Sequence, residues 1–116
     1  MLVLIVDDSK VMQKINKQIV ESLGHSTVCV SNGAEAIEQL SGPVDLVLLD
    51  VNMPIMDGFE FLSKTVELRK VRGIKVIMCT TEGQRDTVVK ALRLGANNYV
   101  VKPIDKDKLI EKIKGL

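Results

Sequence analysis

The sequence predicts an α/β fold: one domain, residues 1–116, built as a five-stranded parallel sheet with five helices on its two faces. Three observations carry this. Five short runs of apolar and β-branched residues alternate with five segments of helical period. The central run, Leu46-Val47-Leu48-Leu49, is continuously apolar between Asp45 and Asp50, as suits a strand buried on both faces. The connections are short, and alternating strand and helix units cross over the sheet with one hand.

Taken in order, Leu2 to Val6 is the first strand, closed by Asp7-Asp8. Ser9 caps the first helix, whose apolar residues Val11, Met12, Ile15, Ile19, Val20 and Leu23 are expected to face the sheet. Gly24 ends it. Thr27 to Val30 is the second strand. Ser31-Asn32-Gly33 turns into a short helix, Ala34 to Leu40, with Ala36, Ile37 and Leu40 inward, and Gly42-Pro43 stops it. Strand three is the Leu46 to Leu49 run. Pro54, which lacks an amide hydrogen, bars regular pairing soon after. Asp57-Gly58 opens a third helix carrying Phe59, Phe61, Leu62, Val66 and Leu68 inward, punctuated by Gly73. Lys75 to Cys79 is strand four, ending at Thr80. A fourth helix from about Gln84 to Leu94 presents Val88, Ala91, Leu92 and Leu94, and Gly95 caps it. Tyr99 to Val101 is strand five, ending at Lys102-Pro103, and the last helix runs from about Lys106 with Leu109, Ile110 and Ile113 inward. No output domain is expected within these residues.

Composition narrows the function. A formal net charge of +1 gives no general case for nucleic acid or an anionic membrane. Lys106, Lys108, Lys112 and Lys114 make the last helix basic, which reads first as a solvated face. Cys29 and Cys79 lie among β-formers and read as buried free thiols, at a spacing that matches no zinc pattern. The apolar N-terminus runs straight into Asp7-Asp8 without the basic flank of a signal peptide, and no apolar stretch is long enough to span a bilayer. The default expectation is a cytoplasmic location.

Parallel strands bring their carboxyl ends to one edge, where ligands of open α/β sheets bind. Asp7-Asp8, Asp50, Thr80 and Lys102 all stand there. Two carboxylates about 4 Å apart repel by roughly 4 kcal/mol at an effective dielectric near 20. Lys102 supplies one offsetting charge, and a hard divalent cation would supply two more. Mg²⁺ suits oxygen ligands from one or two carboxylates, waters and a phosphate. Taken singly, Asp7 and Asp8 would pass for a charge pair at a helix N-terminus, and Thr80 for a strand-end hydroxyl.

Four motifs in order, Val6-Asp7-Asp8-Ser9, Leu49 through Gly58, Cys79-Thr80-Thr81-Glu82 and Gly95 through Pro103, resemble those of response-regulator receiver domains of two-component signalling, close to the stand-alone chemotaxis type. The resemblance covers essentially the whole chain. It implies a doubly wound, flavodoxin-like sheet in the order 2-1-3-4-5. It implies that Asp50 is the phospho-acceptor, a carboxylate nucleophile that takes a phosphoryl group from a sensor histidine kinase. Asp8 and Asp50 would bind Mg²⁺ directly, Asp7 through water and Asn52 through its backbone carbonyl. Lys102 and Thr80 would contact the phosphoryl oxygens, and the Lys102-Pro103 bond would be cis. Thr80 and Tyr99 would form the switch, altering the affinity of the helix 4–strand 5–helix 5 face for an output protein, a flagellar motor switch among the candidates. Asn52 and Glu82 would tune hydrolysis, with an auxiliary phosphatase as a further partner. The expectation is a monomeric signalling protein in chemotaxis, not a turnover enzyme, with no nucleic-acid or membrane partner.

Other readings fit less well. A haloacid-dehalogenase-type phosphatase needs an acid two residues after its nucleophile, where Asn52 stands. In a flavodoxin-like electron carrier, Asp7-Asp8 would repel the flavin phosphate. A docking-only receiver would have lost the acceptor, an acid or the lysine. A phosphorelay intermediate and a receiver cut from a longer regulator remain open alternatives.

Overall fold

The computed structural model describes residues 1–81 and 85–116. Ten elements alternate strictly: β1 (Leu2–Val6), α1 (Lys10–Glu21), β2 (Ser26–Val30), α2 (Gly33–Gln39), β3 (Leu46–Asp50), α3 (Gly58–Arg72), β4 (Lys75–Thr80), α4 (Arg85–Arg93), β5 (Asn98–Val101) and α5 (Lys106–Lys114). The five strands form one sheet in the order β2-β1-β3-β4-β5, and every pairing is parallel. The order takes the chain outward in one direction from β1 to β2, then back across β1 to β3, so helices cover both faces.

Side chains alternate across the strands, which divides the core in two. Leu4, Val6, Val47, Leu49, Val76 and Met78 pack under Ala36 of α2, Phe61 and Leu62 of α3 and Ala91 of α4. Val3, Ile5, Leu46, Leu48, Ile77 and Val100 pack against Ile19 and Val20 of α1 and Leu109 and Ile113 of α5. All five residues of β3 are buried, so the continuous apolar run does mark the sheet centre.

Ser9 caps the first helix as expected, and three further helices are capped by short polar side chains. Ser9, Asn32, Asp57 and Asp105 accept backbone N–H groups of α1, α2, α3 and α5 respectively. Gly73 closes α3 in the left-handed region, at φ +69°.

The buried faces of three helices differ from expectation. In α1, Val11 is 68% exposed and Ile15 is exposed too, while Gln13 and Asn16 are buried beside Ile19 and Val20. The cause is hydrogen bonding: Gln13 Nε2 donates to the carbonyls of Asp7 (2.6 Å) and Val30 (3.2 Å), tying the helix to the ends of β1 and β2. In α3, Leu68 is exposed, and Thr65 and Arg69 take buried positions next to Phe61 and Leu62. The Thr65 hydroxyl donates to Phe61 O, and Arg69 Nε donates to Thr65 Oγ. In α4, Ala91 is the buried residue and Leu92 is exposed; the expected start at Gln84 lies outside the described residues. Of the cysteines, Cys79 is buried as expected but Cys29 is only half-buried.

Candidate functional site: an acidic cluster at the sheet edge

The strand ends deliver three carboxylates and an ammonium to one place. Asp7 follows β1, and its N–H donates to Val30 O, continuing the ladder by one residue. That leaves its side chain buried, with Oδ1 accepting the Ser9 N–H at 2.9 Å. Asp50 is the last residue of β3 and is also buried; its Oδ1 accepts the Val51 N–H at 2.8 Å. Asp8 is exposed at the rim. Carboxylate oxygens of Asp7, Asp8 and Asp50 lie within 4.8 Å of one another.

Lys102 arrives from the far side of the sheet. Its N–H donates to Thr80 O at 2.5 Å, just beyond the Thr80–Val101 pairing of β4 and β5. The Lys102-Pro103 bond is cis, as expected. Lys102 Nζ donates to Asp7 Oδ2 at 3.0 Å and stands 3.2 Å from Asp50 Oδ1, with all three side chains largely buried. One ammonium therefore bridges two of the three acids.

The electrostatics follow from burial and crowding. Burial, and then the neighbouring Asp7 charge, push the Asp50 carboxyl above the ordinary carboxylate range, against the pull of Lys102. Burial alone would lower the Lys102 ammonium, but its hydrogen bond to Asp7 and the charges of Asp50 and Asp7 outweigh that and raise it. Cys79, opposite Asp50 in the β3–β4 register, has its thiol pushed up to about 12 by burial and takes no ionic part. Three hard oxygen donors, one at the surface, with a single ammonium to offset them, fit a small divalent cation such as Mg²⁺.

The remaining expected residues fall into place unevenly. Thr80 is buried at the end of β4, level with the acids. Asn52 is exposed in the loop two residues after Asp50. Tyr99 is 37% exposed and lines a surface cavity of about 440 Å³ with Pro103, Lys108 and Lys112, a cavity that Asp7, Asp8 and Asp50 do not line. Glu82 lies outside the described residues.

Two glycines build the site without being visible as site residues in the sequence. A Cβ on Gly58 would lie 2.3 Å from Asp50 O, and the Gly58 N–H donates to Val51 O. The start of α3 is thereby folded directly against the backbone of Asp50, a close approach open only to glycine. A Cβ on Gly33 would lie 2.8 Å from Met56 Cγ, and the Gly33 N–H donates to Met56 O at 2.9 Å, which seats the loop after β3 on the start of α2. The Asp57-Gly58 pair reads locally as a helix start and Asn32-Gly33 as a turn. Only the tertiary approach shows their second use.

Comparison with known proteins agrees with this geometry. Residues 3–114 match the family model described as the response regulator receiver domain. Similar curated proteins include the chemotaxis protein CheY of Treponema pallidum, 41% identical over 115 residues that cover 96% of this chain and 78% of that one. A CheY homolog of Campylobacter jejuni is 40% identical over 117 residues, covering 98% and 90%. Among solved structures, a CheY-like receiver domain protein from Methanospirillum hungatei superposes with a TM-score of 0.89 at 34% identity, over 98% of this chain and 90% of that one. Chemotaxis protein CheY4 of Vibrio cholerae gives a TM-score of 0.88 at 27% identity, covering 98% and 96%.

Proposed function

The chain belongs to the family of response regulator receiver domains, and we propose that Asp50 accepts a phosphoryl group from the phosphohistidine of a sensor kinase and that the acyl phosphate switches a protein-binding face. It is a signalling protein and not a turnover enzyme. The observation that carries the reading is the bridge from Lys102 Nζ to Asp7 and Asp50 beside three carboxylates at one sheet edge.

In the transfer, an Asp50 carboxylate oxygen attacks phosphorus. The new P–O bond forms as the P–N bond to the donor imidazole breaks, and the imidazole keeps that electron pair. Lys102 neutralises charge on the moving phosphoryl oxygens as a compact cation, and Thr80 offers its hydroxyl to another. Asp7, fixed by the Ser9 N–H, holds the ammonium in place before transfer. Asp8, Asp50 and the Asn52 carbonyl would hold Mg²⁺ directly, and Asp7 through water; bound there, the ion supplies charge neutralisation of the phosphoryl oxygens.

The readout face is that of α4, β5 and α5, where Tyr99 stands exposed at an open cavity and has room to turn. Phosphorylation shifts the balance between two arrangements of Thr80 and Tyr99 through contacts made only in one of them. The chemotaxis proteins among the relatives favour an output partner in that pathway.

The test is intact mass after incubation with a small-molecule phosphodonor, with and without Mg²⁺, beside Asp50→Asn. The expected result is a labile, Mg²⁺-dependent phosphoryl adduct that Asp50→Asn lacks. An adduct that persists in Asp50→Asn, or none with any donor, overturns the assignment.

A further inference from the structure

The two ends of α4 are held differently. The helix buries only Ala91 fully, while Val89 and Leu92 are exposed, so apolar packing fixes it weakly. Its C-terminal end is instead held by hydrogen bonds. Arg69 of α3 is 4% exposed, and its Nη2 donates to Leu94 O at 2.9 Å and Leu62 O at 3.0 Å. Nη1 donates to Gly95 O at 3.3 Å and Nε to Thr65 Oγ at 2.9 Å. Four of the five guanidinium N–H groups are thus engaged, and among the described residues none goes to a carboxylate. The Thr65 hydroxyl, spent on Phe61 O, leaves its oxygen facing Nε as an acceptor and fixes the fork.

The turn beyond α4 is tied down as well. The Asn97 N–H donates to Val76 O and the Val76 N–H to Asn97 Oδ1, both at 2.8 Å. Midway, the Lys90 ammonium stands 4.4 Å over the Phe59 ring. Among the described residues, no hydrogen bond from another element reaches 85–89. Arg69 and Gly95 line a cavity with Gly73 and Lys75, where β4 begins, whereas Asp50 and Thr80 close the opposite edge of the sheet.

We propose that Arg69 is a positioning residue that pins the C-terminal end of α4 to α3, so that the response at the acidic edge swings the first turns of α4 about Leu94 and Gly95 instead of sliding the whole helix. The proposal rests on the phosphorylation of Asp50. A guanidinium fork bonded to two successive carbonyls resists translation of that end while leaving the helix axis free to tilt, and among the described residues of 85–89 only Thr87 and Val88 are even half-buried.

Amide hydrogen exchange along α4, with and without a phosphodonor and Mg²⁺, tests it, with intact mass read on the same samples. In the wild type, phosphorylation should change exchange in 85–89 and leave the amides of Leu94 to Asn97 unchanged. Arg69→Met and Arg69→Lys, which keep the stem but lose the fork, should spread the change to Leu94 and Gly95 while the rate of adduct formation stays that of the wild type. Equal changes along the whole helix in the wild type overturn the pinned end, as does a wild-type pattern in both variants. Should the variants fail to fold, the wild-type gradient alone decides. A missing adduct in the intact mass overturns the phosphorylation reading, and the pivot with it; an adduct with uniform exchange overturns only the pivot.

Discussion

Replacing Lys102 by Met removes the one ammonium shared by Asp7 and Asp50 and keeps much of its stem. The two carboxylates lie within 4.8 Å, a separation at which unit charges repel by about 3.5 kcal/mol at an effective dielectric near 20. Deleting one partner of a buried ionic cluster typically costs about 3–5 kcal/mol, because the remaining charge loses its offset. We expect Lys102→Met to lose roughly 3 kcal/mol of stability in EDTA at neutral pH. The loss should shrink in two ways. Saturating Mg²⁺ should restore most of it, since the cation takes over the neutralisation. Acid should also narrow it. Without Lys102, burial and Asp7 raise the Asp50 carboxyl further above its unfolded value of 3.8, so the folded state binds a proton that the unfolded state releases. Stability of the variant then falls as pH rises through the window above 3.8 and recovers as pH falls. In the wild type, the contribution of Lys102 is present below its unfolded value of 10.5 and is lost as pH rises through its raised folded value. The chain has no tryptophan, so urea unfolding is best followed by far-ultraviolet circular dichroism, with EDTA or Mg²⁺, at neutral and mildly acidic pH. A variant as stable as the wild type in EDTA at neutral pH would refute the reasoning, because Lys102 would then not be offsetting carboxylate repulsion.

Three further outcomes are expected. Cys79, its thiol pushed up to about 12 from 9.0, should carry about a thousandfold less thiolate near neutrality than an ordinary cysteine; peptide mapping after native alkylation should find Cys29 labelled first, and equal labelling would contradict the burial. Gly58→Ala should lower stability by about 2 kcal/mol or more and slow phosphorylation, because its methyl group meets Asp50 O, whereas Gly42→Ala, with 3.4 Å to its nearest neighbour, should differ little; paired urea titrations decide, and equal midpoints would sink the close-approach reading. Ile55 is 82% exposed at φ +68°, with the Met56 N–H donating to Pro54 O across it, a turn that strains a β-branched residue. Ile55→Asn should therefore stabilise by about 1 kcal/mol in thermal unfolding, and a lower melting temperature would show that the loop is not strained there.

Much of this was legible in the sequence because the signals are local. A strand such as Leu46 to Leu49 that ends in Asp50 marks both the sheet centre and one carboxylate of the acidic edge within a few residues. The cap Ser9 acts on a neighbour three positions on; Asn32, Asp57 and Asp105 act over the same two or three positions, but of the four only Ser9 stood out as a cap in the sequence. The helix faces were harder, since burial there is decided by distant partners. Gln13 is drawn inward by Val30 O and Arg69 by Leu94 O, contacts 17 and 25 residues away, so hydrophobic period alone put Val11 and Leu68 on the wrong side. The acids, Lys102 and Thr80 were placed at one edge because a parallel sheet brings its strand ends together. The second use of Gly33 and Gly58 depends on chain crossings that no local spacing encodes.

The seat of Met56 on Gly33 has a consequence for anyone recombining receivers. In the sequence, the segment between Asp50 and Gly58 looks like a self-contained insert that could be moved to a new host. Here its footprint includes residue 33, more than twenty positions upstream, whose missing side chain makes room for Met56 and whose N–H holds it. A chimera that imports this segment over an alanine or larger residue at 33 would not receive it in the same shape. The heritable unit is the loop together with its distant socket, and a library that varies one without the other samples mostly misfits.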